Sequence, residues 1–308
     1  MLPPWLRAAE RGGRRITRFY IWLCLTFGRR TARPILYGIA LYFLVTAGGA
    51  RRASQDYMAR MGMSRAGWFR AYRHILSFSS VIVDRLFFLA RGTDGYDLTI
   101  HGREAFDRLL KTNEGFIVAS AHFGNFDALR VLGVDHMNLP IKILMYLDNA
   151  RQMNALFDEI NPAIAQTIIP LGKPGAMLEV RDWVEHGGIV GILADRIVQG
   201  DKLVRTEFLG EGADFPLGPW LLAHALDAPV IVCFAVYRGW ARYDVYLEEF
   251  SAPERAEGES RLQMAERLAT DFACRLERHC RNAPYNWFNF YDFWADTKND
   301  GEASRNHA

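Results

Sequence analysis

The sequence predicts an α/β fold, with a mainly parallel mixed sheet sandwiched between helices. Hydrophobic residues make up 50% of the 308 residues and charged residues 23%, so the chain can build a sizeable packed core. From about residue 96, short runs rich in β-branched residues alternate with helical patterns. Those runs are continuously apolar, as expected of parallel strands that are buried on both faces.

The predicted elements follow one another in a regular order. Seven strands are expected, at 96–102, 115–122, 141–147, 167–172, 187–195, 228–237 and 243–250. Helices are expected between or after them, at about 124–133, 149–160, 174–186, 217–227 and 259–281. Before the strands, residues 1–95 are predicted to be helical, with a helix stop at Gly92.

The start of the chain is basic and apolar. Residues 1–33 contain eight arginines and a single acidic residue, Glu10. The uncharged stretch 34–50, "PILYGIALYFLVTAGGA", is at the lower limit of the length that crosses a bilayer. A buried core helix is the alternative, but the arginine flanks favour a membrane anchor over residues 1–52, either spanning or lying in the interface. Residues 53–294 then form the main domain, and 295–308 a flexible polar tail.

Several classes of protein are excluded. The net charge of +2 argues against nucleic-acid binding. The four cysteines form no CxxC pair, which indicates buried thiols in a reduced compartment and no zinc site. No metal cluster is visible, and no cofactor is expected. The sequence also lacks the Gly-x-Ser-x-Gly elbow of α/β-hydrolases and the P-loop of kinases.

One polar motif ends a buried strand. In "SAHFGNFDAL", His122 follows the apolar run 115–121, and Asp127 lies about one helical turn further on. Ligands of open α/β sheets bind at the carboxyl ends of strands. Two interpretations of the motif stay open at this point. A lone His near a strand end is more often a structural histidine with satisfied hydrogen bonds, and the alternative is that His122 is a general base that Asp127 orients. Gly124 permits a close backbone approach, and the amides near Gly124 and Asn125 are candidates for an oxyanion hole.

Three blocks of sequence resemble one family in the same order. "AHFGNFDAL" resembles the His-x4-Asp/Glu motif of the lysophospholipid acyltransferase superfamily, and more narrowly of the lipid A biosynthesis (lauroyl/myristoyl) acyltransferases. "GIVGILADR" (188–196) and "TEFLGEGADFPLGPWLLAHALDAPVI" (206–231) resemble two further blocks of that family. The resemblance covers roughly residues 50–294.

The resemblance implies a glycerol-phosphate-acyltransferase-like fold and an activity. A fatty acyl group would pass from acyl carrier protein or acyl-CoA to a hydroxyl of a membrane lipid or glycolipid such as lipid A. His122 would be the base and Asp127 its partner. The location implied is a bacterial inner membrane, with the catalytic domain on the cytoplasmic side.

Other residues are candidates for substrate binding. Asp195 and Arg196 end a strand, and an arginine fork there suits a phosphate of the acceptor or of the phosphopantetheine arm. A strand-terminal ion pair or helix cap is the alternative for both. Family members typically carry an arginine in the helix after the second strand or just beyond it. Here that region supplies Arg151, and no other basic residue follows before Lys173.

The acceptor is left open by departures from the family pattern. "DR" replaces the commoner "DQ", and the C-terminal "YNWFNFYDFW" (285–294) resembles a divergent branch that accompanies aryl-polyene or ornithine-lipid pathways. For these aromatic residues, packing on the sheet is the favoured interpretation over substrate contact. Two alternatives to O-acylation follow: an N-acyltransferase that makes an aminolipid, and a non-catalytic protein that binds lipid or acyl carrier protein.

Overall fold

The fold was described from a computed structural model of the full chain. The described residues are 14–63, 67–126, 139–146, 159–162, 166–198, 200–250 and 252–295. The predicted helix at 124–133 falls almost entirely outside these residues, as does most of the one at 149–160. Burial is described from residue 18 onward.

The N-terminal part is helical, as predicted, and the remainder alternates strands and helices. The helices of the described residues are α1 (Arg14–Phe27), α2 (Arg29–Thr46), α3 (Gly48–Arg60), α4 (Trp68–Arg91), α5 (Arg103–Thr112), α6 (Ala176–Glu185), α7 (Gly218–Ala225) and α8 (Arg261–Asn282). The strands are β1 (Asp97–His101), β2 (Phe116–Ser120), β3 (Ile141–Met145), β4 (Ile168–Pro170), β5 (Ile189–Leu193), β6 (Leu203–Phe208), β7 (Glu211–Pro216), β8 (Val230–Gly239) and β9 (Arg242–Glu249).

The seven strands predicted from the sequence form one sheet. Its order is β1-β9-β8-β2-β5-β3-β4, and every neighbouring pair is parallel except the β8–β9 hairpin. The mainly parallel mixed sheet is therefore confirmed. A further antiparallel pair, β6–β7, was not predicted as strands. Its two-residue turn has Leu209 and Gly210 at positive φ, which matches the twist of a tight hairpin.

Both faces of the sheet are covered, as the apolar strands require. All five residues of β2 are buried, and successive side chains point to opposite faces. Ile117 and Ala119 pack in a core formed with α6, α7, α8 and the β6–β7 hairpin. Phe116 and Val118 pack in a second core, formed with α2, α4 and α5. Strand β2 thus lies at the centre of the molecule, and its carboxyl end is held from both sides.

Helix boundaries follow local chemistry. Helix α4 ends at Arg91, where Gly92 adopts φ 67 and its amide binds the Phe88 carbonyl, so the predicted stop at Gly92 is confirmed. Helix α8 begins with a capping box, in which Ser260 and Gln263 bind each other's backbone amides.

The N-terminal helices pack on the rest of the molecule. Residues of α2 at four-residue spacing, Ala32, Leu36, Ala40 and Leu44, are buried. Within the described residues, no single helix has the length and apolar composition needed to cross a bilayer, whereas α2 and α3, bent by 94°, meet that test as a pair.

Candidate active site

His122 lies just beyond the carboxyl end of β2, as predicted. The C-terminal segment pairs with the chain there: the Phe288 amide donates to the His122 carbonyl at 2.7 Å, and Phe123 forms a β-bridge with Trp287. The imidazole is positioned by a backbone that is bound on both sides of it. Its side chain keeps 28% of its surface exposed, which leaves it accessible to a substrate.

Gly124 fits where no other residue would. Its φ is 61, and a Cβ at this position would overlap the Ala235 carbonyl oxygen on β8. This close approach lets the Asn125 amide donate to the same carbonyl at 2.9 Å. The close backbone approach at Gly124 is made to β8, and substrate binding at Gly124 stays a prediction.

Asp195 binds His122 directly. It follows β5, the parallel neighbour of β2, so the two residues meet at the same edge of the sheet. His122 Nδ1 lies 2.8 Å from Asp195 Oδ1, and the His122 amide donates to Oδ2 at 3.0 Å. The indole Nε1 of Trp287 also donates to Oδ2, at 3.0 Å. The carboxylate is 2% exposed, and both of its oxygens are occupied by protein donors.

These contacts set the charge of the pair. Burial disfavours the Asp195 carboxylate, but His122, Arg196 and the Trp287 indole outweigh it and hold the pKa of Asp195 below its ordinary value. Burial and the nearby Arg196 charge lower the pKa of His122, against the opposing effect of Asp195. A neutral imidazole beside an ionised carboxylate follows. With Nδ1 donating to Asp195, the lone pair lies on Nε2.

Arg196 lies next to this pair. Its guanidinium donates to the Phe288 carbonyl at 3.4 Å and lies 5.9 Å from the centre of the Tyr291 ring. The residue is partly exposed, so a charged group remains at the edge of the site. The prediction that Asp195 and Arg196 bind substrate is untested. In the structure, Asp195 is the hydrogen-bond partner of His122.

The amides of Gly124 and Asn125 have partners within the protein, and an oxyanion hole formed by amides near them stays a prediction. The Gly124 amide donates to the Asn286 carbonyl at 2.8 Å, and the Asn125 amide to Ala235. Both donors are therefore used to fasten the turn to β8 and to the C-terminal segment. The motif alone gave no sign of this, because both partners lie more than 100 positions away.

Sequence reasoning missed Trp287 as a member of the site. The aromatic segment does pack on the sheet, and Trp287 is enclosed by Phe208, Phe293 and Trp294. Its indole also donates to Asp195, and its backbone forms the β-bridge with Phe123, next to His122. Nothing in the aromatic segment 285–294 indicates that Trp287 would donate a hydrogen bond to Asp195.

His74 supports the same segment from behind. Its Nε2 lies 2.8 Å from the Trp287 carbonyl, and its Nδ1 lies 2.9 Å from Ser54 Oγ. The imidazole is fully buried, and burial lowers its pKa to about 4. It is therefore neutral, with Nε2 as the donor.

Two predicted site residues lie outside the described residues, namely Asp127 and Arg151. Their roles as carboxylate partner and substrate ligand stay predictions. In the described part of the chain, no group of three or more His, Cys, Asp or Glu side chains is placed to hold a metal ion. All four cysteines are free, and Cys274 is the one that is exposed.

A family comparison identifies the chain. The model of the bacterial lipid A biosynthesis acyltransferases matches residues 68–295, about three quarters of the sequence. The chain belongs to this family. A search of curated proteins finds no match.

Family membership makes the protein an acyltransferase that acts on lipid. As a lipid A biosynthesis acyltransferase it is an enzyme, so the alternative of a non-catalytic binding protein falls away. The matched residues include the whole sheet, His122, Asp195 and Trp287.

Proposed function

We propose that the protein transfers a fatty acyl group from a thioester donor to a hydroxyl of a lipid A-like glycolipid. The donor is acyl carrier protein or acyl-CoA, and the reaction takes place at the cytoplasmic side of a bacterial inner membrane. The observation that carries this proposal is the His122–Asp195 pair at the carboxyl edge of the sheet. Among the described residues, no serine or cysteine side chain hydrogen-bonds His122, which suits a reaction in which the acceptor itself attacks.

His122 is the general base in this proposal. Asp195 binds Nδ1 and fixes the tautomer, so Nε2 faces the acceptor. The depressed pKa of His122 keeps the imidazole unprotonated at neutral pH, which is the form a base needs.

The chemical step is a direct acyl transfer. The acceptor O–H gives its proton to His122 Nε2 as its oxygen attacks the thioester carbonyl carbon. A C–O bond forms and the C–S bond breaks. The leaving thiolate then takes the proton from the imidazolium, which returns His122 to its neutral state. Asp195 stays ionised throughout and stabilises the imidazolium while it exists.

We assign the role of orienting carboxylate to Asp195 in preference to Asp127. Since Asp195 occupies Nδ1, a second carboxylate on the ring would have to use Nε2, the atom that takes the substrate proton. Arg196 lies close enough to act on the charge of His122 and remains partly exposed, which supports a phosphate of the donor or acceptor as its ligand.

The decisive experiment measures acyl transfer by His122→Ala. Purified full-length protein is incubated with labelled acyl carrier protein and a lipid A precursor, and the product is separated and weighed by mass spectrometry. We expect a loss of about 10²–10⁴-fold in rate, with an unchanged thermal melt. His186→Ala is the matched control, because His186 is 76% exposed and precedes the amino end of β5, whereas the site lies at the carboxyl end.

Two results would reject the proposal. Near-normal transfer by folded His122→Ala would remove the histidine from the chemistry. A product that resists mild alkali would be an amide, and would favour the N-acyltransferase over the O-acyltransferase. Transfer to an aryl-polyene-type lipid in place of the glycolipid would reassign the acceptor only.

A further inference from the structure

The N-terminal helices expose an apolar face. The buried side of α2 packs on the domain, and large hydrophobic side chains cover its opposite side and the outside of α1. The exposed ones are Phe19, Trp22, Phe27, Ile35, Tyr37, Leu41, Tyr42 and Val45. Several of these side chains are more than half exposed, and contiguous apolar surface of this kind is rare on a protein that has no partner there.

The charge of the same helices is of one sign. Residues 14–52 contain eight arginines and no aspartate, glutamate or lysine. Arginine beside aromatic side chains suits the headgroup region of an anionic bilayer, where the apolar body is immersed and the guanidinium binds phosphate.

A second element adds to this face from the main domain. The β8–β9 hairpin turns at Trp240 and Ala241, which adopt φ 43 and φ 62. Such turns favour Asn-Gly, so both residues are in an unfavourable backbone region. The turn nevertheless carries an indole that is 60% exposed, and the Arg33 guanidinium of α2 lies 3.8 Å from the centre of that ring.

Buried contacts fasten α2 to the hairpin. Asp84 on α4 accepts hydrogen bonds from Tyr96 at 3.0 Å and from Tyr243, on β9, at 2.8 Å. Arg29 at the start of α2 forms an ion pair with the same carboxylate at 3.5 Å. The hairpin tip and the helix are thereby held in one arrangement.

A second arginine–tryptophan contact lies near the other end of α2. Just after α2, the Arg51 guanidinium lies 4.2 Å from the centre of the Trp68 ring, and Trp68 is 53% exposed. Two arginine–tryptophan pairs therefore flank the apolar face of α2. Tryptophan and arginine are the residues that hold protein at the level of lipid headgroups.

We infer that the hairpin tip at 239–242 joins the outer faces of α1 and α2 in one docking face for an anionic phospholipid bilayer. The hairpin is the new element, because it belongs to the main domain and lies outside the apolar N-terminal segment. The docking face also orients the site. Strands β8 and β2 are parallel neighbours, so the hairpin tip projects from the same edge of the sheet as His122.

The distance from the docking face to the site is short. Gly124 is level with Ala235, and Trp240 lies five residues further along the chain, which is about 16 Å at ~3.3 Å per residue. An acceptor held in the bilayer can then present its headgroup at the edge where His122 lies. That last step rests on the proposed function, whereas binding to a bilayer does not.

Vesicle binding tests the docking face. Full-length protein, added from dilute detergent, is sedimented with vesicles of phosphatidylcholine alone or mixed with phosphatidylglycerol. Arg33→Gln is expected to weaken binding to the anionic vesicles about fivefold and to leave binding to the neutral ones unchanged. Trp240→Ala is expected to weaken binding to both.

Leu178→Ala is the matched control. Leu178 is an exposed hydrophobic residue, 70% accessible, on α6, which packs on β4 and β5, on the side of β2 away from β8 and β9. The Leu178→Ala variant should bind both kinds of vesicle as strongly as the unchanged protein does. Melting curves of all variants establish that they are folded. Unchanged binding of folded Arg33→Gln and Trp240→Ala would overturn the inference.

A fluorescent label tests the hairpin tip directly. Cys274 is the one exposed cysteine, so a Cys274→Ser background allows Trp240→Cys to carry an environment-sensitive fluorophore. We expect a blue shift with anionic vesicles for a label at 240 and none for a label at 178 from Leu178→Cys. No shift at 240 would overturn the inference. Because neither readout requires acyl transfer, a failure of the proposed function is seen separately, as absence of product despite vesicle binding.

Discussion

His122 and His74 lie on either side of Trp287 and differ in what binds them. His74 is fully buried between the Ser54 hydroxyl and the Trp287 carbonyl, two neutral partners. His122 is bound by the Asp195 carboxylate and keeps part of its ring exposed. In both, burial lowers the pKa of the imidazole.

The difference between them teaches what separates a base from a packed histidine. His74 has a partner on each ring nitrogen, so no nitrogen is available to a substrate, and no carboxylate stabilises its charged form. For His122, the carboxylate leaves Nε2 for proton transfer and stabilises the imidazolium that forms. Trp287 joins the two: its carbonyl binds His74, and its indole binds Asp195.

Asp195→Asn should cause the largest loss of activity among the variants that test this comparison. The amide keeps the size of the carboxylate but cannot stabilise the imidazolium or hold the same tautomer, so we expect a loss of about 10²–10⁴-fold in kcat. Acyl-transfer kinetics measure it, with a thermal melt to confirm folding.

The activity of Asp127→Asn, compared with that of Asp195→Asn, tests which carboxylate orients His122. If Asp195 orients His122, this variant retains more activity than Asp195→Asn. The opposite order would return the orienting role to Asp127, and Asp195 would then be a packing residue.

His74 should affect stability more than catalysis. Its pKa is 6.5 in the unfolded chain and about 4 in the folded protein, so the unfolded state binds more protons between these values. Stability from this group is present above pH 6.5 and is lost as the pH falls toward 4, by up to about 3 kcal/mol. Urea unfolding at several pH values measures this loss.

His74→Leu provides the comparison for that measurement. It removes both hydrogen bonds, so it is less stable at neutral pH, and its deficit against the unchanged protein should shrink as the pH falls from 6.5 to 4. His186→Leu, at an exposed position, should leave the profile nearly unchanged. A constant deficit for His74→Leu would mean that His74 is not neutral in the folded state.

Arg196→Gln should give the smallest effect on kcat, whereas loss of the proposed phosphate contact would raise KM. The positive charge of Arg196 helps to lower the pKa of His122, so its removal raises that pKa toward 6.5. The base works in its neutral form, and the acid limb of kcat/KM against pH should therefore move to higher pH. Arg181→Gln, on the exposed face of α6, is the control, with no expected shift. A shift to lower pH would contradict the electrostatic role of Arg196.

The sequence predicted the local elements of this fold well. Runs rich in apolar and β-branched residues identified all seven strands of the main sheet. The central strand β2 is apolar because it is buried on both faces, whereas β1 and β9 alternate in exposure. The β6–β7 hairpin was missed, since only one residue of β6 is buried and β7 contains Gly212 and Asp214. Glycine at 92 correctly indicated a helix end.

By itself, the sequence determined that a histidine follows one buried strand and an aspartate follows another. Only the tertiary structure decided that these are neighbouring strands, which brings Asp195, 73 positions away, onto His122. The same holds for Trp287, which reaches Asp195 across 92 positions. The physical reason is that apolar periodicity reports burial and local conformation, whereas strand order depends on contacts between distant segments. No local pattern encodes which side chains those contacts bring together.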